Sequence, residues 1–290
     1  MRYKIIVNPT AGKGKALKQV SLLKELLAQT KLEYELVMTK EPGHATELAR
    51  QAVQDGWSAI AAVGGDGTIN EVIQGLVGYP TPLAIIPTGT GNDLARSLSL
   101  PKTLEGSVAL MLNPRILEMD LGQDQENFFA CIAGIGFPAD VMHNVNLSKG
   151  IFSGSVAFIW GIVKTLKELA PIPVTLELDG VIKQANAQGV FILNTVYSGG
   201  GLKFSPEADI CNGKLDVLVM RDMSLIEVLR VLPRVYLGTH LSHPKVDFYR
   251  VKEVKVLTEN PLRKMFDGNV TGETPMSAVI SAHKLRILVP

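Results

Sequence analysis

Gly64-Gly65-Asp66-Gly67-Thr68-Ile69-Asn70-Glu71 is the run whose residue types carry the most chemistry. Its glycines let a backbone approach a ligand closely, and Asp, Thr, Asn and Glu stand around them. The run follows an apolar stretch at residues 59–63 and precedes a helix-like segment at 71–76. Free N–H groups and the positive dipole end of such a helix favour an anion, and phosphate is the natural occupant. A purely structural turn has little need of four polar side chains in that setting.

Pro87-Thr88-Gly89-Thr90-Gly91-Asn92-Asp93 repeats the plan after a second apolar stretch, residues 83–86. Alone it reads equally well as a helix cap through Asn92 or Asp93. Beside the first run it becomes a second wall of one crevice, because turns at the carboxyl ends of parallel strands face the same ligand site. Asn8-Pro9-Thr10-Ala11-Gly12-Lys13-Gly14-Lys15 is a third loop with flexible donors and two lysines, though it lacks the earlier glycine and the Ser or Thr of a Walker A loop. The turns make no dinucleotide fingerprint either: Asn70 stands where a third glycine would follow Gly65 and Gly67. Gly134-Ile135-Gly136-Phe137-Pro138-Ala139 has that spacing, but its proline falls where a helix should open, so the match reads as accidental.

The elements that position these loops alternate. Residues 4–7, 32–38, 59–63 and 83–86 read as strands. Residues 16–29, a segment with Ala45, Leu48, Ala49, Ala52 and Val53 on one side, 71–76 and 93–98 read as helices. This βα pattern predicts a parallel sheet. From about Gly122 short β-like runs replace it, at 128–132, 174–178, 190–194, 215–220, 253–257 and 285–289, interrupted by a helix over about 153–169. The chain is therefore divided into an α/β domain, residues 1–121, and a β-rich domain, residues 122–290.

The 290 residues are 46% hydrophobic and 20% charged with 27 glycines, a composition of folded α/β proteins rather than disordered ones. A formal charge of +1 excludes the global basic field that wraps nucleic acid or fixes a protein to membranes by charge alone. The longest weakly charged stretch, 151–163, falls short of the roughly 20 residues of a spanning helix. Residues 1–7 are too short for a signal-peptide apolar core, so the expected location is cytoplasmic. Cys131 and Cys211 lack metal-type spacing and read as two buried thiols. His240 and His243 are read as loop residues rather than metal ligands, for want of a third ligand.

Taken together, Asn8-Pro9 with Gly12, the Gly-Gly-Asp-Gly-Thr run with Asn70-Glu71, Pro87 to Asp93, Gly136-Phe137 with Ala139-Asp140, Asn212-Gly213-Lys214-Leu215-Asp216 and Asp267-Gly268 stand in an order that resembles the diacylglycerol kinase catalytic family, with its bacterial lipid kinases and related sphingosine kinases. The resemblance spans nearly the whole chain. It implies an N-terminal nucleotide-binding α/β domain like those of phosphofructokinases and NAD kinases, a C-terminal β-sandwich domain, and ATP between them. It implies transfer of the γ-phosphate of ATP to the hydroxyl of a membrane lipid, diacylglycerol before sphingoid bases, ceramide, phosphatidylglycerol or polyprenol-like alcohols.

By the same resemblance Asn8, Pro9, Thr10, Ala11 and Gly12, with Gly65, Asp66, Gly67, Thr68, Asn70 and Glu71, hold the phosphates, and Thr39 and Thr90 contact the nucleotide. Asp66, Asp93 and Asp267 match three aspartates that hold a catalytic Mg²⁺, partly through water, and Asp267 accepts the lipid hydroxyl's proton. Asp209, Asn212 and Lys214, the last through its carbonyl, match a structural Mg²⁺ site of bacterial members. Two positions depart from the pattern. Asn269 replaces a glutamate after Asp267-Gly268, with Glu273 nearby, and Asn212 replaces an aspartate, which removes charge from a site for a hard cation. A catalytically weak nucleotide- or lipid-binding regulator is the alternative those departures motivate, and NAD kinase is the rival enzyme. Peripheral bilayer contact is expected; residues 152–162, with Phe158, Ile159 and Trp160 flanked by Lys149 and Lys164, suit either a bilayer surface or the sandwich. Family members often form homodimers.

Overall fold

The computed structural model of the chain describes residues 1–148, 155–168 and 170–290. They form two units, Met1–Met119 with Ala282–Pro290, and Asp120–Ser281. The first unit runs β1 (Arg2–Val7), α1 (Ala11–Ala28), β2 (Glu33–Met38), α2 (His44–Gln54), β3 (Ala59–Gly64), α3 (Asp66–Leu76), β4 (Leu83–Pro87), α4 (Asp93–Ser97), α5 (Leu104–Leu112) and β5 (Arg115–Met119). The second runs β6 (Gly122–Asp124), β7 (Asn127–Phe129), β8 (Ile132–Gly136), α6 (Phe137–Leu147), α7 (Ser155–Glu168), β9 (Ile172–Leu178), β10 (Val181–Leu193), β11 (Leu215–Arg221), α8 (Leu225–Leu237), β12 (Val246–Val251), β13 (Glu253–Thr258), β14 (Arg263–Phe266), β15 (Asn269–Glu273) and β16 (Met276–Ile280). β17 (Leu285–Val289) then returns to the first unit.

The first sheet has the order β2-β1-β3-β4-β17-β5. β1 pairs in parallel with both β2 and β3, and β3 with β4. β3 is buried at every position, which explains its unbroken apolar sequence. Tyr3, Ile5 and Val7 of β1 pack with Val20, Leu23 and Leu27 of α1 in one core.

β17 corrects the expected division. Residues 285–289 read as a strand of the β-rich domain, yet they pair antiparallel with β5 and meet β4 at Leu83. Ile287 and Leu288 are fully buried there. A short apolar strand carries no record of which distant strand it will join.

In the second unit β9, β11 and β13 alternate inward residues with period two: Val174, Leu176 and Leu178; Leu215, Val217 and Val219; Val254 and Val256 share one core with Phe129 and Phe266. The long β10 pairs with β9 through its first half, and with β8 and β11 through its second. The expected helix near residues 153–169 is α7; its first two residues, its last, and Lys149 and Phe152 lie outside the described residues. The Gly134–Ala139 run also needs correction, because a helix does open at Phe137 with Pro138 in its first turn, where a missing N–H costs nothing. Cys131 is buried as expected, but Cys211 is exposed. His240 is buried with Nε2 3.1 Å from the Phe204 carbonyl oxygen, and burial pulls its pKa down.

Asp216 anchors this unit. Its carboxylate takes Arg250 Nε at 2.6 Å and Nη2 at 3.0 Å, and Ser205 Oγ donates to it at 2.5 Å. Replacing Asp216 with alanine leaves the Ser205 hydroxyl without this acceptor and Arg250 with the Glu207 carbonyl in place of a carboxylate. Because Arg250 is one-third exposed (33%), the expected loss is roughly 2–4 kcal/mol, below that of a fully buried pair. Chemical denaturation measures it, and an unchanged midpoint would refute the anchoring role.

Candidate functional site

After β1 the chain crosses to β2 on one side and then to β3 on the other, so the strand order reverses between β1 and β3. A crevice outside the carboxyl ends of these strands is where such sheets take ligands. All three glycine loops start there: residues 8–15 after β1, the Gly65 turn after β3, and residues 88–92 after β4. Strand pairing continues into them, since Asn8 N donates to Val63 O at 3.0 Å and Thr88 N to Gly64 O at 2.9 Å.

Backbone then meets backbone. A Cβ on Gly89 would lie 2.5 Å from Gly65 Cα, and one on Gly12 would overlap the Thr88 carbonyl oxygen. Gly12, Lys13 and Gly14 are successively left-handed, with φ of 60°, 60° and 82°. Such a run strains any residue with a Cβ. Gly12→Ala therefore meets both strain and overlap, whereas Gly14→Ala, with nothing within 4 Å of its Cβ, meets strain alone. The expected result is a loss of about 1–3 kcal/mol for Gly14→Ala and a larger one for Gly12→Ala, read by thermal unfolding. A KM for ATP raised only in Gly12→Ala would show the loop contact at work; equal effects would deny it.

Side chains lock the loops. Asn8 Oδ1 accepts from Thr10 N at 3.0 Å and Thr10 Oγ1 at 2.8 Å, while its Nδ2 donates to the buried Thr68 Oγ1 at 2.9 Å. Asp66 Oδ2 accepts from Asn92 N at 2.8 Å and Oδ1 from Asp93 N at 2.7 Å. The cap of α4, expected of Asn92 or Asp93, thus comes from the neighbouring loop. Burial raises the Asp66 pKa, and the two backbone N–H bonds oppose that rise. α3, by contrast, begins at Gly65 with no side-chain cap, leaving its first-turn N–H groups for an anion.

Several expected residues do other work. Glu71 Oε2 accepts from Ala45 N at 3.2 Å at the start of α2, and Asn70, buried, accepts from Gln74 Nε2 at 3.1 Å. Thr39, partly buried at the end of β2, donates its N–H to Val7 O at 2.9 Å. Thr10, Gly67 and Thr90 are exposed, while Pro9 and Ala11 are partly buried. Two groups of the loop after β4, Thr88 Oγ1 and Asn92 Oδ1, the latter on a residue expected only as a helix cap, are buried without a hydrogen-bond partner among the described residues. Buried polar atoms of that kind await a partner. Their signal was their place beside Gly89.

Asp267 belongs to the second unit. In a left-handed conformation (φ 44°), it accepts three backbone N–H groups: Ala130 N on Oδ2 at 2.6 Å, with Cys131 N at 2.9 Å and Ile132 N at 2.8 Å on Oδ1. Glu273 lines a pocket of about 140 Å³ with Gly136, Asp140, Pro261, Leu262 and Arg263. Arg263 lies 3.6 Å from Asp140, whose pKa is raised by burial.

The residues matched to a structural Mg²⁺ do not fit one. Asp209 Oδ1 accepts from Cys211 N at 3.0 Å and Asn212 Oδ1 from Lys214 N at 2.9 Å, so both side chains close their own loop. Asp120 accepts Gly213 N at 2.7 Å. Among the described residues no group of three His, Cys, Asp or Glu is placed to hold a metal. One carboxylate, a turned-in carboxamide and the Lys214 carbonyl make a poor donor set for a hard dication.

The first unit is thus a largely parallel sheet with three glycine loops at its switch point, and the second is a β-sandwich-like unit. Residues 131–289, more than half the chain, match the YegS C-terminal NAD kinase beta sandwich-like domain, and residues 2–123 match the diacylglycerol kinase catalytic domain. The chain belongs to this diacylglycerol kinase-like family and is a lipid kinase, with ATP as its phosphoryl donor. It is 29% identical to a diacylglycerol kinase of Bacillus subtilis (100% of this chain, 96% of that one) and 25% identical to one of Staphylococcus carnosus (100% and 95%). The fold is similar to that of a diacylglycerol kinase from Bacillus anthracis, with TM-score 0.79, 23% identity and coverage of 100% and 97%.

Proposed function

We propose that the chain transfers the γ-phosphoryl group of ATP to the free hydroxyl of diacylglycerol, giving phosphatidic acid and ADP. The observation that carries this reading is the backbone contact of Gly12 with Thr88 and of Gly65 with Gly89, which joins three donor-rich loops into one phosphate cradle. The open N-terminus of α3 and the lysines Lys13 and Lys15 supply positive potential to it. The names of the B. subtilis and S. carnosus relatives support diacylglycerol as acceptor.

Mg²⁺ enters this reading as part of the ATP substrate complex, where it neutralises phosphate charge. Asp66 and Asp93 are the carboxylates of the first unit proposed to serve it, Asp66 through its hold on the Asn92 and Asp93 amides. Asp267, whose Oδ2 accepts from Ala130 N, is the carboxylate read as orienting the lipid hydroxyl. A loose transition state asks for positioning more than for a strong base.

Among the described residues no helix is long and apolar enough to cross a membrane. We read the enzyme as reaching its lipid by peripheral contact with the bilayer surface. α7 supports this: Val156, Ile159 and Val163 are exposed, and Lys164 lies 5.3 Å from the Trp160 ring. The test is transfer of labelled γ-phosphate from ATP with Mg²⁺ to long-chain alcohols in mixed micelles, with NAD included. Labelled phosphatidic acid is the expected product; labelled NADP, or label in no lipid, overturns the reading.

A further inference from the structure

α8 is apolar on two faces. Val228, Val231 and Val235 are buried against the second unit, while Ile226 (60% exposed), Leu229 (51%), Tyr236 (53%) and Leu237 (72%) form a stripe on the other side at helical spacing. The helix does not owe its stability to that stripe. A capping box of Ser224 and Glu227 closes one end, and Gly238, left-handed at φ 74°, closes the other. A helix that needs one apolar face and has two presents the second to something outside the fold.

Charge identifies what that is. Glu227 is turned to Ser224 and to Lys245 at 2.9 Å, and Arg234 donates to Thr239 O and Ser242 Oγ. The charge at the stripe's edge is the exposed Arg230, two turns before Leu237 on the helix face, and the acidic residue nearest it on the helix, Glu227, is already held by Ser224 and Lys245. A second copy meeting this face about a two-fold axis would bring two Arg230 side chains together with only Glu227, already bound to Lys245, to oppose them. An anionic surface accepts the guanidinium instead, and Tyr236 has the apolar body and polar tip suited to a headgroup layer.

We propose that α8 lies on an anionic phospholipid bilayer, seating Ile226, Leu229 and Leu237 among the acyl chains and Arg230 at the headgroup phosphates. This rests on the lipid-substrate reading above, and it names the surface through which that substrate is reached.

The full chain and its combined Ile226→Ser, Leu229→Ser, Leu237→Ser variant are compared on vesicles of equimolar phosphatidylcholine and phosphatidylglycerol. The expected result is a partition coefficient reduced about a hundredfold, with unchanged thermal unfolding and unchanged phosphorylation of a water-soluble short-chain diacylglycerol. Arg230→Glu should bind these vesicles more weakly and pure phosphatidylcholine as before. Wild-type vesicle binding by the combined variant overturns the proposal. So does sedimentation showing a wild-type dimer that the variant abolishes, which gives the face to a second copy. If the wild type binds vesicles through α8 yet labels no lipid, docking stands and the substrate reading fails.

Discussion

Asp66→Ala is expected to lower kcat/KM for phosphoryl transfer by about 10²–10³, the scale seen when a preorganised polar group is removed from a phosphoryl or oxyanion site. The reason is positional. Asp66 holds the N–H groups of Asn92 and Asp93 on separate oxygens, and so ties the loop after β3 to the loop after β4. Without it α4 loses its only described cap, which costs about 0.5–2 kcal/mol, and the Thr88 and Asn92 oxygens lose their placement. Asp66→Asn should rescue little, because a carboxamide offers one oxygen and turns an NH₂ towards the second N–H. Hydrogen exchange separates this from a role in chemistry alone: the Asn92 and Asp93 amides should exchange faster in both variants. Wild-type protection with lost turnover would sink the positioning role, and near-normal turnover would sink the site.

Asp267→Ala should be inactive and also destabilised by roughly 3 kcal/mol or more, since buried donors left unsatisfied cost about 1–3 kcal/mol each. The Ala130, Cys131 and Ile132 N–H groups all depend on this one carboxylate, and those residues are 2%, 8% and 8% exposed. Loss of activity in the alanine variant therefore cannot be assigned to chemistry by itself. Asp267→Asn keeps an oxygen for the Cys131 and Ile132 amides but puts NH₂ against Ala130 N and removes the negative charge. It should recover part of the stability while kcat stays down about a hundredfold. Wild-type kcat in Asp267→Asn would leave Asp267 a structural residue and remove it from the lipid hydroxyl.

Much of the scaffold was legible because its signals are local. The apolar runs at residues 59–63 and 83–86 could only be buried strands, each followed by a glycine turn, and β3 and β4 extend just one residue beyond them. The alternation over 174–178 likewise fits β9, which buries Val174, Leu176 and Leu178 on one face. α5, α6 and α8 were missed. α5 has apolar residues without a clear polar face, α6 opens on a proline, and α8 carries apolar side chains on two sides. None shows the single stripe by which a helix announces itself.

What the sequence by itself determined was which residues gather at the phosphate end of the sheet, because chain order and βα alternation place the loops after β1, β3 and β4 at one end of it. Only the tertiary structure decided what each side chain does there. Asp66 caps a helix that starts 27 residues later, Glu71 turns to α2 and Asn8 to Thr68. β17 joins a strand about 200 residues earlier in the chain. A hydrogen bond or strand pairing depends on which groups the folded backbone brings within about 3 Å, and side chains of one type compete for it equally until packing removes the other partners.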